Sequence, residues 1–120
     1  MTRLGRNVKI TLGESRRATF RAAITALGCD VVSPNAEMDV YRFADGSMLG
    51  AQIVADDQAL PEDLLEKAPW LELAVDDVPL ATAKLDSLGL SRVEYHDNGH
   101  AYFRAPGGVV FRLAALRPTA

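Results

Sequence analysis

The feature that most restricts what this chain can fold into is that its plan is written twice. NVKITLGESRRATFRAAITALGCDVVSP is followed by MDVYRFADGSMLGAQIVA, and WLELAVDDVPLATAKLDSLGLSRVEYHD is followed by GHAYFRAPGGVVFRLA. Each copy opens with an alternating strand, turns through a polar elbow into a helix that stops at Leu-Gly, and then shows three short strands. Neither copy can hide its apolar faces as an isolated strand or helix, so the repeating unit is a βαβββ module.

The element boundaries have physical reasons. In the first copy Phe20, Ala23, Ile24 and Leu27 fall at helical spacing, with Arg16, Arg17 and Arg21 on the rest of the helix, and Gly28 supplies a left-handed stop. In the second, Asp77 is placed to cap the helix, Pro79 sits in its first turn, and Ala81, Leu85 and Leu88 form an apolar stripe that ends at Gly89. Asp45-Gly46 and Asn98-Gly99 signal hairpins, and Pro106-Gly107-Gly108 signals a turn. Between the copies, ADDQALPEDLLEKAP reads as a linker carrying about one helical turn. The expected organisation is one domain over residues 1–120, with a first module at about 6–54, a linker at about 55–69 and a second module at about 70–116. The tail RPTA reads as loose.

Composition narrows the function classes. A chain of 120 residues with a net charge of −3 has room for one real core but carries no basic stripe, so nucleic acid is not an expected partner. No apolar run approaches the ~20 residues of a membrane span, and MTRLGRNVKI lacks the apolar core of a signal peptide. The single cysteine, Cys29, reads as a small buried hydrophobe. These points give a cytoplasmic, soluble expectation with no membrane partner.

The wording LELAVDDVPLATAKLDSLGL, GHAYFRAPGG and VVFRLA, set in the duplicated plan, resembles the vicinal oxygen chelate superfamily, the group of glyoxalases, bleomycin-resistance proteins and extradiol dioxygenases. The resemblance spans about residues 6–116. It implies an α+β fold in which two βαβββ modules form curved mixed sheets around a central cavity, with helices outside, and commonly a homodimer.

Alternation in the strands separates two faces. Val8, Ile10 and Leu12 oppose Asn7, Lys9 and Thr11; Leu71, Leu73 and Val75 oppose Trp70, Glu72 and Ala74; Val109, Phe111 and Leu113 oppose Val110, Arg112 and Ala114. The mixed faces either look into the implied cavity or meet water. The resemblance implies metal ligands, typically His or Glu, on the first and last strands of each module. Those positions fall here on Trp70 and Arg112 in the second module, and on Asn7 (or Val8) and Gly50 (or Gln52) in the first. None is His or Glu, and a guanidinium repels a divalent ion. No metal and no cofactor is therefore expected.

Arg112 is the leading candidate ligand contact, able to fork onto a carboxylate or phosphate, and Trp70 is a candidate wall. Glu72, Lys9, Gln52 and Asn7 are further candidates. A Lys9–Glu72–Arg112 group would carry one surplus positive charge and suit an anionic small molecule; alternatively, Glu72 simply neutralises one base, and Trp70 simply fills the core. His96 and His100 fall on opposite faces of a tight Asn98-Gly99 hairpin and cannot share an ion. An Asp97–His100 pair could orient an imidazole for general-base work, although a hairpin-tip histidine is ordinarily just solvated. Ser15, Ser33, Ser47, Ser87 and Ser91 sit in turn or helix-end contexts.

The expected function is metal-free small-molecule binding, by resemblance that of the sequestering bleomycin-resistance branch, with no catalytic residues assigned. Two alternatives stand beside it. One is a metal-dependent glyoxalase-like lyase or isomerase, or a dioxygenase, with displaced ligands; the other is a structural partner subunit with a collapsed cavity.

Overall fold

The computed structural model describes residues 1–116, so the RPTA tail lies outside the described residues. The chain divides into two compact units, residues 1–60 and 61–120, each with its own sheet and helix.

In the first unit, strand β1 (Asn7–Gly13) passes through a short 3-10 turn into helix α1 (Arg17–Ala26), then into β2 (Asp30–Val32), β3 (Met38–Arg42) and β4 (Met48–Val54). The three later strands form an antiparallel meander whose last strand returns beside β1 in parallel, giving the sheet order β1-β4-β3-β2. The second unit repeats this with β5 (Leu71–Val75), α2 (Val78–Ser87), β6 (Ser91–Arg92), β7 (Ala101–Arg104) and β8 (Val110–Ala115), in the order β5-β8-β7-β6. The segment between the sheets holds two 3-10 turns, Asp56–Gln58 and Glu62–Lys67. The duplicated α+β plan read from the sequence is present in both halves, and each mixed sheet is open.

Local chemistry sets the helix ends. Asp77 accepts a hydrogen bond from the Leu80 N–H at 3.0 Å, and Pro79 sits in the first turn, where its missing N–H costs nothing. Gly28 and Gly89 end the two helices with φ of 93° and 79°, a region L side chains avoid. Leu88 departs from expectation. It is the C-cap of α2 and exposed, so the buried stripe of that helix is Ala81 and Leu85 alone.

The core of the first unit lies between α1 and one face of its sheet: Phe20, Ala23 and Ile24 from the helix, with Ile10, Leu12, Leu49, Ala51 and Tyr41 from the strands. Cys29 is buried too, and its thiol is pushed up to about 11, chiefly by burial and then by Asp30. The alternation of β1 is as read from Ile10 onward, but Val8 is exposed at the sheet end. In the second unit Phe103, Phe111, Leu113, Ala81 and Leu85 form the corresponding core.

One core residue is charged. Asp39 of β3 is fully buried, on the helix face of its sheet. Arg17 and Arg21, one turn apart on α1, both reach it: Arg17 Nη2 at 2.8 Å and Arg21 Nη2 at 2.6 Å from Oδ1, with both Nε atoms donating to Oδ2. The Tyr41 hydroxyl donates to Oδ2 at 3.0 Å. Burial pushes the carboxyl up, but the donors from Arg17, Arg21 and Tyr41 outweigh it and hold Asp39 at about 2. A carboxylate alone in this position would not stay ionised; two guanidinium groups and a phenol make it a clamp between helix and sheet.

No helix among the described residues is long and apolar enough to cross a membrane.

Candidate functional site

The second unit carries a different polar assembly on the face of its sheet opposite Phe111 and Leu113. Strand register sets Glu72 of β5 against Arg112 of β8, and Arg112 against Tyr102 of β7. Residues directly opposed share a face, so these three side chains form a row across the sheet. Glu72 Oε2 accepts from Arg112 Nε at 2.8 Å and from Arg112 Nη2. Arg112 Nη1 lies 3.6 Å from Asp97 Oδ2. The same Asp97 oxygen accepts the Tyr102 hydroxyl at 2.9 Å and stands 2.6 Å from His100 Nδ1.

Asp97 is thus the hub. Its other oxygen accepts the Gly99 N–H at 2.9 Å, which closes the turn that carries it. The Gly99 N–H, the Tyr102 hydroxyl and His100 together hold the Asp97 carboxyl at about 2. Tyr102 and then Glu72 raise the Arg112 pKa still further above its ordinary value, so its charge is permanent. Two carboxylates against one guanidinium leave a surplus negative charge here while His100 is neutral.

The aromatic residues cover one side of this row. Trp70, which directly precedes β5, meets Tyr95 edge-on at 5.0 Å between ring centroids and lies 5.6 Å from Tyr102; Tyr95 and Tyr102 are 5.3 Å apart. Tyr102 is consequently only 5 % exposed although it lies on the open face. The Trp70 indole N–H donates to the Glu66 carbonyl at 2.9 Å, so Trp70 offers a ligand its ring rather than a free donor.

The remaining sequence candidates belong to the first unit. Lys9 is exposed and lies opposite Gly50, which in turn lies opposite Val40. With the repeats superposed by strand order, Lys9–Gly50–Val40 is the counterpart of Glu72–Arg112–Tyr102, so the register selects Gly50, not Gln52, as the partner position of Arg112. Gln52 lies one step further on the same face, between Thr11 and Met38, and Asn7 begins β1 opposite Met48. The structure therefore joins Glu72 to Arg112 directly and brings Trp70 to them through Tyr102.

Two sequence expectations need correction. The loop before β7 is not a tight hairpin: pairing runs only through Arg92–Phe103, with one further bond from the Val93 N–H to the Tyr102 carbonyl, and residues 93–100 form an irregular loop. The Asp97 side chain bonds its own turn and so competes with the ladder. The second correction concerns charge. Asp97 also stands beside Arg112, so the Glu72–Arg112–Asp97 group within this unit carries one surplus negative charge, where Lys9, Glu72 and Arg112 alone would carry one surplus positive charge. Tyr102 was also missed, although counting back across the Pro106-Gly107-Gly108 turn places it opposite Arg112.

The donor set does not fit a divalent ion. The positions implied by the resemblance hold Trp70 and Arg112 here and Asn7 and Gly50 in the first unit, and the guanidinium occupies the space between the Glu72 and Asp97 carboxylates. Among the described residues, no group of three or more His, Cys, Asp or Glu side chains could hold a metal.

Comparison with solved structures agrees on the fold. A FosX fosfomycin resistance protein variant from Listeria monocytogenes, in complex with Mn(II) and 1S,2S-dihydroxypropylphosphonic acid, superposes with a TM-score of 0.70 at 12 % identity, covering 98 % of this chain and 95 % of that one. A protein from Bacillus anthracis described as of the glyoxalase family gives 0.69 at 11 % identity, covering 94 % of each. An Agrobacterium tumefaciens protein gives 0.68 at 16 % identity, covering 98 % of this chain and all of that one. No protein-family model matches the sequence, and no curated protein matches it. The chain has the fold of the vicinal oxygen chelate superfamily, whose members among its structural neighbours include glyoxalase family proteins and FosX proteins.

Proposed function

We propose that this protein binds a small molecule without a metal ion, in the sequestering manner of bleomycin-resistance proteins, at the face of its second unit centred on Arg112. The observation that carries this reading is the bracketing of Arg112 by Glu72 and Asp97 at the last-strand position where metal-dependent proteins of this fold place a ligand. A fixed guanidinium supplies positive charge and a planar fork of donors at that point. It does so without open coordination positions, so the chemistry of a metal-bound substrate oxygen has no place in it.

Glu72, Arg112 and the Trp70 ring are the proposed contacts, with Asn7, Lys9 and Gln52 as weaker ones from their positions in the first unit. An anionic ligand group would have to displace Glu72 from the guanidinium. The surplus negative charge favours a neutral, hydrogen-bonding molecule instead. The protein is proposed to act as a homodimer, as the resemblance implies.

Native mass spectrometry of the untagged protein, with elemental analysis of the same sample, tests the reading. A dimer free of transition metal and carrying a small-molecule mass is the expected result. Stoichiometric zinc, iron, nickel or manganese overturns it and favours the glyoxalase- or dioxygenase-like alternative, as does a rise in Tm on adding one of these ions. For any ligand so identified, Arg112→Ala is expected to abolish binding, and unchanged affinity would refute the site.

A further inference from the structure

The Asp97–His100 pair does more than the ion pair beside it requires. An ionised carboxylate can only accept hydrogen bonds, so the 2.6 Å contact fixes the proton of neutral His100 on Nδ1. The basic lone pair is then on Nε2, at the opposite edge of the ring. The His100 side chain is 31 % exposed and lines a cleft of about 380 Å³ together with Glu94, Tyr95, Asp97, Asn98 and Tyr102. Tyr102 and Gly99 hold the Asp97 carboxylate from two further directions, so the acceptor that orients the imidazole is itself fixed. A positioned imidazole with its far nitrogen held by a carboxylate is the arrangement in which histidine takes up a proton and is stabilised as imidazolium.

We propose that His100 is a proton-transfer residue, acting through Nε2 on a small neutral or cationic molecule that enters this cleft with a removable C–H, O–H or S–H proton. This rests on the binding reading in placing a small molecule at the second unit, and goes beyond sequestration by adding a chemical step in the cleft that adjoins the Arg112 row at Tyr102 and Asp97. In the step, the bond between the substrate atom and its proton breaks and the proton moves to Nε2. The bonding electron pair stays on the substrate, and Asp97 balances the imidazolium. Nothing is oxidised or reduced, and the proton returns to the product or passes to water. Asn98 lines the same cleft and carries an amide N–H donor for the charge that develops on the substrate; the Arg92 guanidinium is already held by Asp86 and takes no part. The carboxylates of Asp97 and Glu94 disfavour an anionic substrate from the outset, hence the charge class. His96 plays no part: it stacks on Tyr95 at 4.1 Å and does not line the cleft.

The test uses 5-nitrobenzisoxazole, a small neutral carbon acid. Removal of its C–H proton breaks the ring N–O bond and releases a coloured cyanonitrophenolate, so a positioned base is all it needs. Its unreactive analogue 5-nitrobenzotriazole reports binding separately by calorimetry. Wild-type protein is expected to accelerate the reaction over buffer, His100→Gln and Asp97→Asn to lose about tenfold or more of that acceleration, and His96→Gln to keep it. No acceleration by wild type, or equal rates in wild type and His100→Gln, overturns the inference. If the analogue still binds in that case, the binding reading survives; Arg112→Ala tests that reading, and its failure is seen in binding alone. NMR of the His100 ring nitrogens in the unsubstituted protein guards against a variant that fails to fold: the Nδ1–H tautomer supports the proposal and the Nε2–H tautomer refutes it.

Discussion

The two units share strand order, helix placement and crossover, yet they use charge on opposite faces of their sheets. In the first, Asp39 points under the helix and is clamped by Arg17 and Arg21, while the row on the other face is Lys9–Gly50–Val40, with no side chain at its centre. In the second, the buried part of the helix face is apolar, with Phe103, Phe111 and Leu113, and its Asp86–Arg92 ion pair is half-exposed, while the other face carries Glu72, Arg112, Tyr102, Asp97 and His100. A duplicated scaffold has thus separated its duties. The buried cluster of the first unit holds a helix to a sheet, and the half-exposed cluster of the second is the proposed ligand site. The difference in burial decides which is which, because the same Coulomb attraction is much stronger out of water and is screened at the surface.

That comparison breaks most visibly at Asp39. Replacing it by alanine leaves two guanidinium groups facing the core, and an expected loss of about 3–5 kcal/mol should appear in denaturant unfolding. The corresponding change in the second unit, Glu72→Ala, removes an ion pair whose members are 47 % and 38 % exposed, and should cost no more than about 1 kcal/mol. Equal losses at the two sites would erase the distinction drawn between them.

Acid gives the next largest contrast. The folded-state value of Asp39, about 2, lies below its unfolded value near 3.8. Its contribution to stability is therefore fully present above about pH 4 and fades as pH falls through 2. Asp97 shifts in the same direction, but its side chain is 28 % exposed and its partners are partly solvated. Unfolding midpoints measured from pH 5 to pH 2 should fall in the wild type, and Asp39→Asn should remove more of that dependence than Asp97→Asn.

Smaller effects sharpen the picture. Tyr41→Phe deletes one donor to Asp39 inside the core and should cost about 1 kcal/mol by thermal or denaturant unfolding. The smallest change is expected at Gly50. A Cβ there meets the Met38 sulfur at 3.7 Å and the Val8 carbonyl at 3.9 Å, both ordinary contacts. Gly50→Glu would place a carboxylate opposite Lys9 and should alter stability by less than about 0.5 kcal/mol, since the pair would be exposed. A loss of several kcal/mol would mean that the centre of this row is closed to side chains.

Much of the scaffold was legible because its signals are local. Leu-Gly helix stops, the Asp77 cap, the Asp45-Gly46 turn and the alternation of apolar residues each act over a few residues, and their repetition identified the module. The ends of that reasoning are equally local. Leu88 fits a helical stripe by spacing but falls where α2 has already ended. Asn98-Gly99 has hairpin composition, but Asp97 diverts the backbone into a turn of its own and leaves residues 93–100 irregular. At the candidate site, Glu72 and Arg112 share a face by alternation and could be nominated from sequence, and Tyr102 follows from the register across the Pro106-Gly107-Gly108 turn, whereas Asp97 and His100 join them only through that irregular loop.

The sequence by itself therefore determined the repeated βαβββ plan, which strand faces are apolar, and the lack of His or Glu at the positions where the resemblance would put metal ligands. All of these depend on residue type and short-range spacing. Only the tertiary structure decided how the charges pair. Asp39 lies 18 and 22 residues from its two arginines, and Glu72 lies 40 residues from Arg112. Pattern fixes which way a strand residue faces. The partner it meets there is set by register and by the path of a loop, and charge balance, burial and protonation follow from that partner.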